Sequence, residues 1–416
     1  MKPALLAYLG LSRLMAPVWR WGLGHRLKKG KETEASVQQK LGLAYAQRPA
    51  GPLIWGHAVG VGEANALAGL FARLTEEHPG LHCLITTTAR TSGDALARTG
   101  LPPRCQHQFA PVDTPDAVRR FLDHWQPDLA VWCEMDLWPA LIAETDRRHI
   151  PRVLVNARLS AESLAKRRWG RWLYRALLPG FRELFAQNVE SAEGLVSLGA
   201  PRQQITVTGT IKSLVPPLGH DAAALQAWQA ALGQRPVWLL ASSHPGEEAL
   251  ALAAHERLRQ QCPDALLIIA PRAPARGAEV AALAGPGTPL RSAGAALPGA
   301  GPVYVADTIG EMGLWYRLAP VALVGGSFAR VGGHNPHEPL ALGCGVLHGP
   351  NVWNFAESYD RLDAQGFTHP VNEVGGIVTG VLSAWQRPHR LEAPPPEPQA
   401  QVVLQRLRSL LPTWPA

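Results

Sequence analysis

Four short stretches combine residue types that do chemistry with the glycines and prolines that let a backbone come close to a ligand. In "VGVGEANA" (59–66) a lone carboxylate, Glu63, sits among small residues at the mouth of a helical pattern. In "ASSHPGEE" (241–248) Ser243 and His244 precede two glutamates. In "APRAPAR" (270–276) Arg272 follows an apolar run. The densest string is "VGGSFARVGGHNPHEP" (324–339), with Gly325, Gly326 and Ser327, then Gly332 and Gly333, then His334, Asn335, His337 and Glu338.

Each stretch has a chemical reading and a plain one. Glu63 in a first helical turn is worth ~0.3–1 kcal/mol against the helix dipole, and the open question is whether it does more. Ser243 reads as a helix N-cap with acidic first-turn neighbours, which leaves His244 unexplained. A guanidinium such as Arg272 can meet a phosphate or simply be solvated. Gly325 and Gly326 let a backbone approach a ligand, and N–H groups at the second glycine pair can hold a phosphate. Glu338 can accept hydrogen bonds from a ribose diol. The His334 and His337 spacing hints at metal. With no cysteine or carboxylate set beside it, the expectation is no metal and no cofactor.

These residues need elements to hold them. Short apolar runs ("PLIWGHAV", "LHCLITTT", "LAVWCEM", "PRVLVNA", "ELFAQN") alternate with helix-length segments. After "ITVTGTIK" comes a Pro-, Gly- and Ala-rich stretch, and then the alternation restarts ("VWLLASS", "ALLIIAP", "PVYVAD", "VALVGGS", "GVLHGP"). Two β/α series imply two doubly wound parallel sheets, whose ligands bind at the carboxyl ends of the strands. Every polar oddity above follows a strand. The divisions expected are a basic segment 1–31, a domain 32–212, a linker 213–235, a domain 236–392, and a tail with a last helix, 393–416.

At 416 residues with 46% hydrophobic content, the chain can build two sizeable cores. Its five cysteines are scattered, with no CxxC pair, which speaks against a zinc or disulfide framework. Residues 1–31 carry seven Lys and Arg and no acid, equal to the whole net charge of +7. A basic head on a neutral body points to an anionic surface rather than nucleic acid. The head's apolar run stops at Arg13, short of the roughly 20 residues of a spanning helix, and no signal-type cleavage site follows it. Leu, Trp and Tyr flanked by Arg and Lys fit a segment lying in a membrane interface; the other reading is a helix docked on the core. A second basic segment, "AKRRWGRWLYRALL" (165–178), puts Trp169, Trp172, Leu173 and Ala176 on one helical face and Arg168, Arg171 and Arg175 on another.

Taken in order, the strings "KGKE" (29–32), "KLG" (40–42), "WGHAVGVGEANA", "ITTTARTSG", "CEMDLWPALI", "VNARLSAES", "VTGTIK", "SSHPGEE", "APRAPAR", "DTIGEMGLWY" and "GGSFARVGGHNPHEP" span nearly the whole chain. They resemble the Kdo transferase family of lipopolysaccharide assembly, which moves 3-deoxy-D-manno-octulosonic acid (Kdo) from CMP-Kdo to a lipid A precursor. The resemblance implies a GT-B architecture, two Rossmann-like domains facing a cleft, preceded by a short membrane-interface helix. It implies a catalytic glutamate in the glycine turn, here Glu63, and inverting chemistry without metal. CMP-Kdo would meet Lys212 and, in the C-terminal half, Ser243, His244, Arg272, Gly326, Ser327, Asn335 and Glu338. Glu134 and Arg158 would serve the acceptor side or support it. The partners implied are CMP-Kdo, a lipid A precursor and the anionic cytoplasmic face of the bacterial inner membrane, with no nucleic acid. The chain departs from the family's usual pattern at Gly60 (commonly Ser), Asp136 (Glu), Ala140 (Asn), Thr210 (Asn) and Ala273 (His). The alternatives are a GT-B enzyme with another sugar donor, or a non-catalytic membrane paralogue; retention of Glu63 and of "GGHNPHEP" speaks against the second.

Overall fold

The computed structural model describes residues 3–214, 217–294, 301–387, 389–395 and 398–411. It divides into two units, Met1–Pro216 with Pro396–Ala416, and Pro217–Pro395.

The first unit holds strands β1 (Leu53–Ala58), β2 (His82–Thr87), β3 (Cys105–Phe109), β4 (Leu129–Cys133), β5 (Arg152–Ala157), β6 (Glu183–Ala186) and β7 (Ile205–Val207). They form one sheet in the order β3-β2-β1-β4-β5-β6-β7, with every pairing parallel. The second unit holds β8 (Val237–Ser243), β9 (Leu266–Pro271), β10 (Val303–Val305), β11 (Val321–Val324), β12 (Gly345–His348) and β13 (Thr368–Pro370). Their order is β10-β9-β8-β11-β12-β13, again all parallel. In each sheet the order reverses beside the first strand, between β1 and β4 and between β8 and β11. That reversal opens a crevice at the carboxyl ends, the usual ligand position of such sheets.

Alternation along the strands builds a core on each face. In β1, Leu53 and Trp55 join one cluster with Trp132 and Phe121, while Ile54 and Ala58 join another with Leu67, Leu70, Phe71 and Leu74 of the helix Val61–Glu77. Gly56 makes that helix possible. A Cβ there would meet Phe71 Cζ at 2.8 Å and Leu67 Cδ1 at 2.9 Å, so only glycine lets the helix sit this low on the strand.

Several expectations need correction. The stretch 213–235 is not merely a linker: Ala222–Leu232 is a helix capped by Asp221, and its Trp228 is buried against Tyr304 and Trp315. Its Ala-rich composition hid a single large anchor. Two edge strands, β3 and β13, were not foreseen. "CQHQF" and "THP" carry no apolar run because an edge strand is less enclosed than a central one. The basic segment 165–178 is not one helix. It breaks at Trp169–Gly170 into Ala161–Arg168 and Arg171–Leu177, so its tryptophans and Leu173 do not share a continuous stripe. Leu173 packs on the core, whereas Trp169 is 91% exposed.

The head forms two helices, Pro3–Leu14 and Ala16–Lys28. Leu5 and Leu23 are buried. The Tyr8 hydroxyl donates to Asp113 Oδ2 at 2.8 Å, and the same carboxylate accepts the amides of Ala140 at 3.1 Å and Leu141 at 2.9 Å. One face of the head is thus docked on the first unit, while Leu6, Leu11, Leu14, Val18 and Trp21 face outward. Among the described residues no helix is long and apolar enough to cross a membrane. The "KGKE…KLG" strings have a structural purpose: buried Glu32 accepts from Lys40 Nζ at 2.6 Å, Ser36 Oγ at 2.7 Å and Arg26 Nε at 3.1 Å. The last helix, Pro398–Leu410, packs on Val61–Glu77, and its Arg408 pairs with Glu77.

Candidate active site

In the first unit Glu63 is the third residue of the helix that follows β1. Gly60 is the N-cap and offers no side chain. The Glu63 carboxylate curls back over Gly60 so closely that a Cβ there would overlap its Oε2. This is the posture of a capping-box glutamate, and the side chain keeps partial solvent contact. Asp136, after β4, lies within electrostatic reach. Desolvation raises the pKa of its carboxyl; Arg167 opposes the shift and the charge of Glu63 adds to it. Two carboxylates therefore flank the reversal point of this sheet.

Glu134 and Asn156 end β4 and β5 with left-handed backbones, φ 65° and 59°. Such conformations cost free energy for non-glycine residues and collect at functional sites. Asn156 is fully buried. Its Nδ2 donates to Glu134 Oε1 at 3.3 Å, and its Oδ1 accepts from Thr210 Oγ1 at 3.1 Å and from Ile211 N at 3.2 Å. It ties the acidic strand end to the turn that carries Lys212, whose side chain lies outside the described residues. Arg158, two residues further on, is exposed. The sequence reading gave Asn156, in "VNARLSAES", a place at a strand end but no role.

In the second unit the turns after β8 and β11 are fastened by Glu247, which is 2% exposed. Its Oε2 accepts the amides of His244 at 2.9 Å and Gly326 at 2.8 Å. Its Oε1 accepts those of Phe328 at 2.9 Å and Ala329 at 3.3 Å. The sequence reading took Glu247 for a dipole acid. In the fold it occupies the N–H groups of the glycine turn that a ligand anion would otherwise use. Ser243 is not an N-cap, since Gly246 holds that position. The Ser243 hydroxyl is buried and donates to Glu248 Oε1 at 2.7 Å, which also pairs with Arg276 Nη1 at 2.7 Å. Ser327 is likewise engaged: its hydroxyl donates to Val324 O at 2.6 Å and accepts the amide of Gly349 at 2.9 Å. Ser243, Gly326 and Ser327, expected to touch a ligand, also help to hold the turns in place.

Of the remaining candidate groups Arg272 is exposed, while His244, His334, Asn335 and Glu338 keep only partial solvent contact. Arg272 follows β9, is exposed, and its amide bonds Ser243 O at 3.1 Å. His244 and His334 meet Nε2 to Nε2 at 2.9 Å with nearly parallel rings. Burial, and then the charges of Arg272 and His244, lower the His334 pKa to about 4. Asn335 Oδ1 accepts the amide of His337 at 3.0 Å, and its Nδ2 lies 3.5 Å from Glu338 Oε1. Burial raises the Glu338 pKa, while the Asn335 hydrogen bond and Arg272 oppose it. His334 and His337 do not converge on one point: His337 Nε2 pairs with Ser358 Oγ at 3.2 Å. Among the described residues no cluster of three or more His, Cys, Asp or Glu could hold a metal. A cationic Arg272, a polar Asn and a carboxylate beyond a glycine turn suit a nucleotide phosphate and sugar.

Two parallel Rossmann-like units, with carboxylates at the reversal point of one and nucleotide-type polar groups in the other, define a GT-B-like glycosyltransferase. A solved UDP-GlcNAc 2-epimerase from Neisseria meningitidis shares the fold, with TM-score 0.54 and 16% identity over 86% of this chain and 100% of that one. Residues 35–215 match the model of the 3-deoxy-D-manno-octulosonic-acid transferase (kdotransferase) family. A 3-deoxy-D-manno-octulosonic acid transferase of Bordetella pertussis is 37% identical over 93% of this chain and 92% of its own. A probable mitochondrial enzyme of that name from Arabidopsis thaliana is 34% identical over 84% and 80%. The chain belongs to the 3-deoxy-D-manno-octulosonic acid transferase family and is a glycosyltransferase.

Proposed function

We propose that the protein transfers Kdo from CMP-Kdo to a lipid A precursor, lipid IVA, with inversion at the anomeric carbon and Glu63 as general base. The observation that carries this reading is Glu63 itself, in partial contact with solvent in the first helical turn beyond β1 at the sheet's reversal point. The acceptor hydroxyl attacks Kdo C2 and gives its proton to the Glu63 carboxylate. The bond from C2 to the phosphate oxygen breaks, and CMP leaves with the electron pair. Arg272 stabilises the leaving phosphate, and Glu338 and Asn335 hold the ribose. His244 lies beside the phosphate, and Lys212 supplies further positive charge. Arg158 and Glu134 serve the acceptor side, Glu134 through Asn156.

The same reading places the work at the cytoplasmic face of the inner membrane. Supporting it are the outward apolar residues of the head, Leu14 at 77% and Trp21 at 73% exposure, together with its seven positive charges. An amphipathic surface of this kind binds anionic lipid through buried apolar area and charge. The deciding experiment is incubation with CMP-Kdo and lipid IVA, read by product mass. A product heavier by one or more Kdo units supports the proposal. Transfer only from UDP-sugars would overturn the donor assignment.

A further inference from the structure

His334 had no part in the donor contacts expected from sequence, yet it makes the only side-chain hydrogen bond described for His244. The two imidazoles come from opposite sides of the sheet's reversal point. His244 lies on the turn after β8, and His334 on the loop beyond β11. Their Nε2 atoms are 2.9 Å apart. Two neutral imidazoles can make this contact only with unlike tautomers, one Nε2–H donating to the other's bare Nε2. An added proton leaves that bond in place and turns the donating ring into an imidazolium. The pair can therefore change charge without changing shape.

Its mounting is rigid. Glu247 holds the His244 amide, Gly326 lies against the His334 ring with a hypothetical Cβ at 3.3 Å, and the Tyr359 hydroxyl donates to His334 O at 3.0 Å. The charged and titratable neighbours are Arg272 from the end of β9, Glu247 from the helix Glu247–Gln261, Glu338 in the short helix His337–Leu340, and Tyr359 from the helix Ala356–Ala364. Glu247 is saturated by four amides. Arg272 adds its repulsion to the effect of burial in disfavouring a proton on His334. A ligand anion seated at Arg272 cancels that repulsion, and an opposite charge within about 4–6 Å raises a histidine pKa by roughly 1–3 units.

We propose that His244 and His334 form one proton-sharing unit of the donor site, which takes up a proton when a phosphodiester anion binds beside Arg272. This rests on the reading that the second unit binds an anionic sugar nucleotide. His334 is then a positioning residue: it orients His244 and shares the charge that His244 presents to the phosphate.

The probe is the methyl phosphodiester of CMP, which lacks the monoester oxygen that itself titrates near pH 6 and would mask the effect. Calorimetric titration of the full-length protein at pH 6.5, in buffers of different ionisation enthalpy, reads proton uptake directly. The expected result is net uptake, with Kd rising by up to about tenfold per pH unit above the range where the pair loses its proton. His334→Asn should abolish the uptake while binding persists, weakened. Buffer-independent enthalpy with intact binding overturns the inference and leaves the donor reading standing. Absence of any binding overturns the donor reading. In that case histidine NMR of the ligand-free protein still decides the pairing. His334→Asn should shift the titration of His244 by more than half a pH unit, and an unmoved curve sinks the pair.

Discussion

Glu247 accepts the amide of Gly326 at 2.8 Å while holding the amide of His244 with the same oxygen. Two turns far apart in sequence are thereby fixed by one carboxylate. Glu247→Ala would strand four amides, and a buried charge-assisted network of this kind costs about 3–5 kcal/mol to break. The second unit should melt first in calorimetry, with cytidylyl ligand binding lost. A variant with unchanged melting would show that the four amides find other partners.

Glu63→Gln keeps shape but cannot take a proton. Turnover should fall by roughly 10²–10⁴-fold, with CMP affinity and Tm nearly unchanged. Were the residue only a cap, the pattern would invert to a small stability loss with normal turnover. Gly60→Ala offers a companion test. The added methyl would displace the carboxylate from its present posture, and turnover should drop while CMP affinity holds.

Arg272→Ala should weaken CMP binding by about 1.5–3 kcal/mol, the scale of a charge-assisted hydrogen bond. Since Arg272 pushes the His334 pKa down, the same variant should raise the apparent titration of that imidazole in histidine NMR. Wild-type CMP affinity in calorimetry would remove Arg272 from the donor site.

Truncating the head would uncover Leu5 and Leu23 and break the Tyr8–Asp113 bond, so a loss of activity after truncation would be ambiguous. The double substitution Leu14→Glu and Trp21→Glu touches only outward side chains. It should release the protein from anionic vesicles without moving Tm, and wild-type binding should fall with added salt. Retention on vesicles after the double substitution would end the interface reading.

His57 is buried on β1 and its pKa is lowered by desolvation from 6.5 to about 4. Between those values the unfolded chain binds the proton and the fold does not, so stability rises with pH. The contribution is intact above pH 6.5 and is lost as pH falls toward 4, by at most about 3 kcal/mol from this residue. Denaturant titrations from pH 7 to 4.5 should show the decline, and His57→Gln should flatten part of it. A slope identical in the variant would assign the loss elsewhere.

Much of the fold was legible in the chain because central parallel strands are buried on both faces and so read as apolar runs. The runs at β1, β4, β8 and β11 located the strand ends, and with them the turns carrying Glu63, Glu134, His244 and Gly326. Residue type and place along the chain were therefore enough to name the family and most of the candidate site. What sequence could not supply was which polar groups are already spent. Ser243 and Ser327, read as ligand contacts, are also paired within the fold, with Glu248 and with Val324 and Gly349. Glu247 looks like an ordinary first-turn acid until it meets amides some eighty residues away. Trp228 in an alanine-rich stretch, the broken helix at Gly170 and the His244–His334 contact have the same origin. Hydrogen bonding and close packing depend on distances across the fold, and a one-dimensional pattern records only neighbours along the chain.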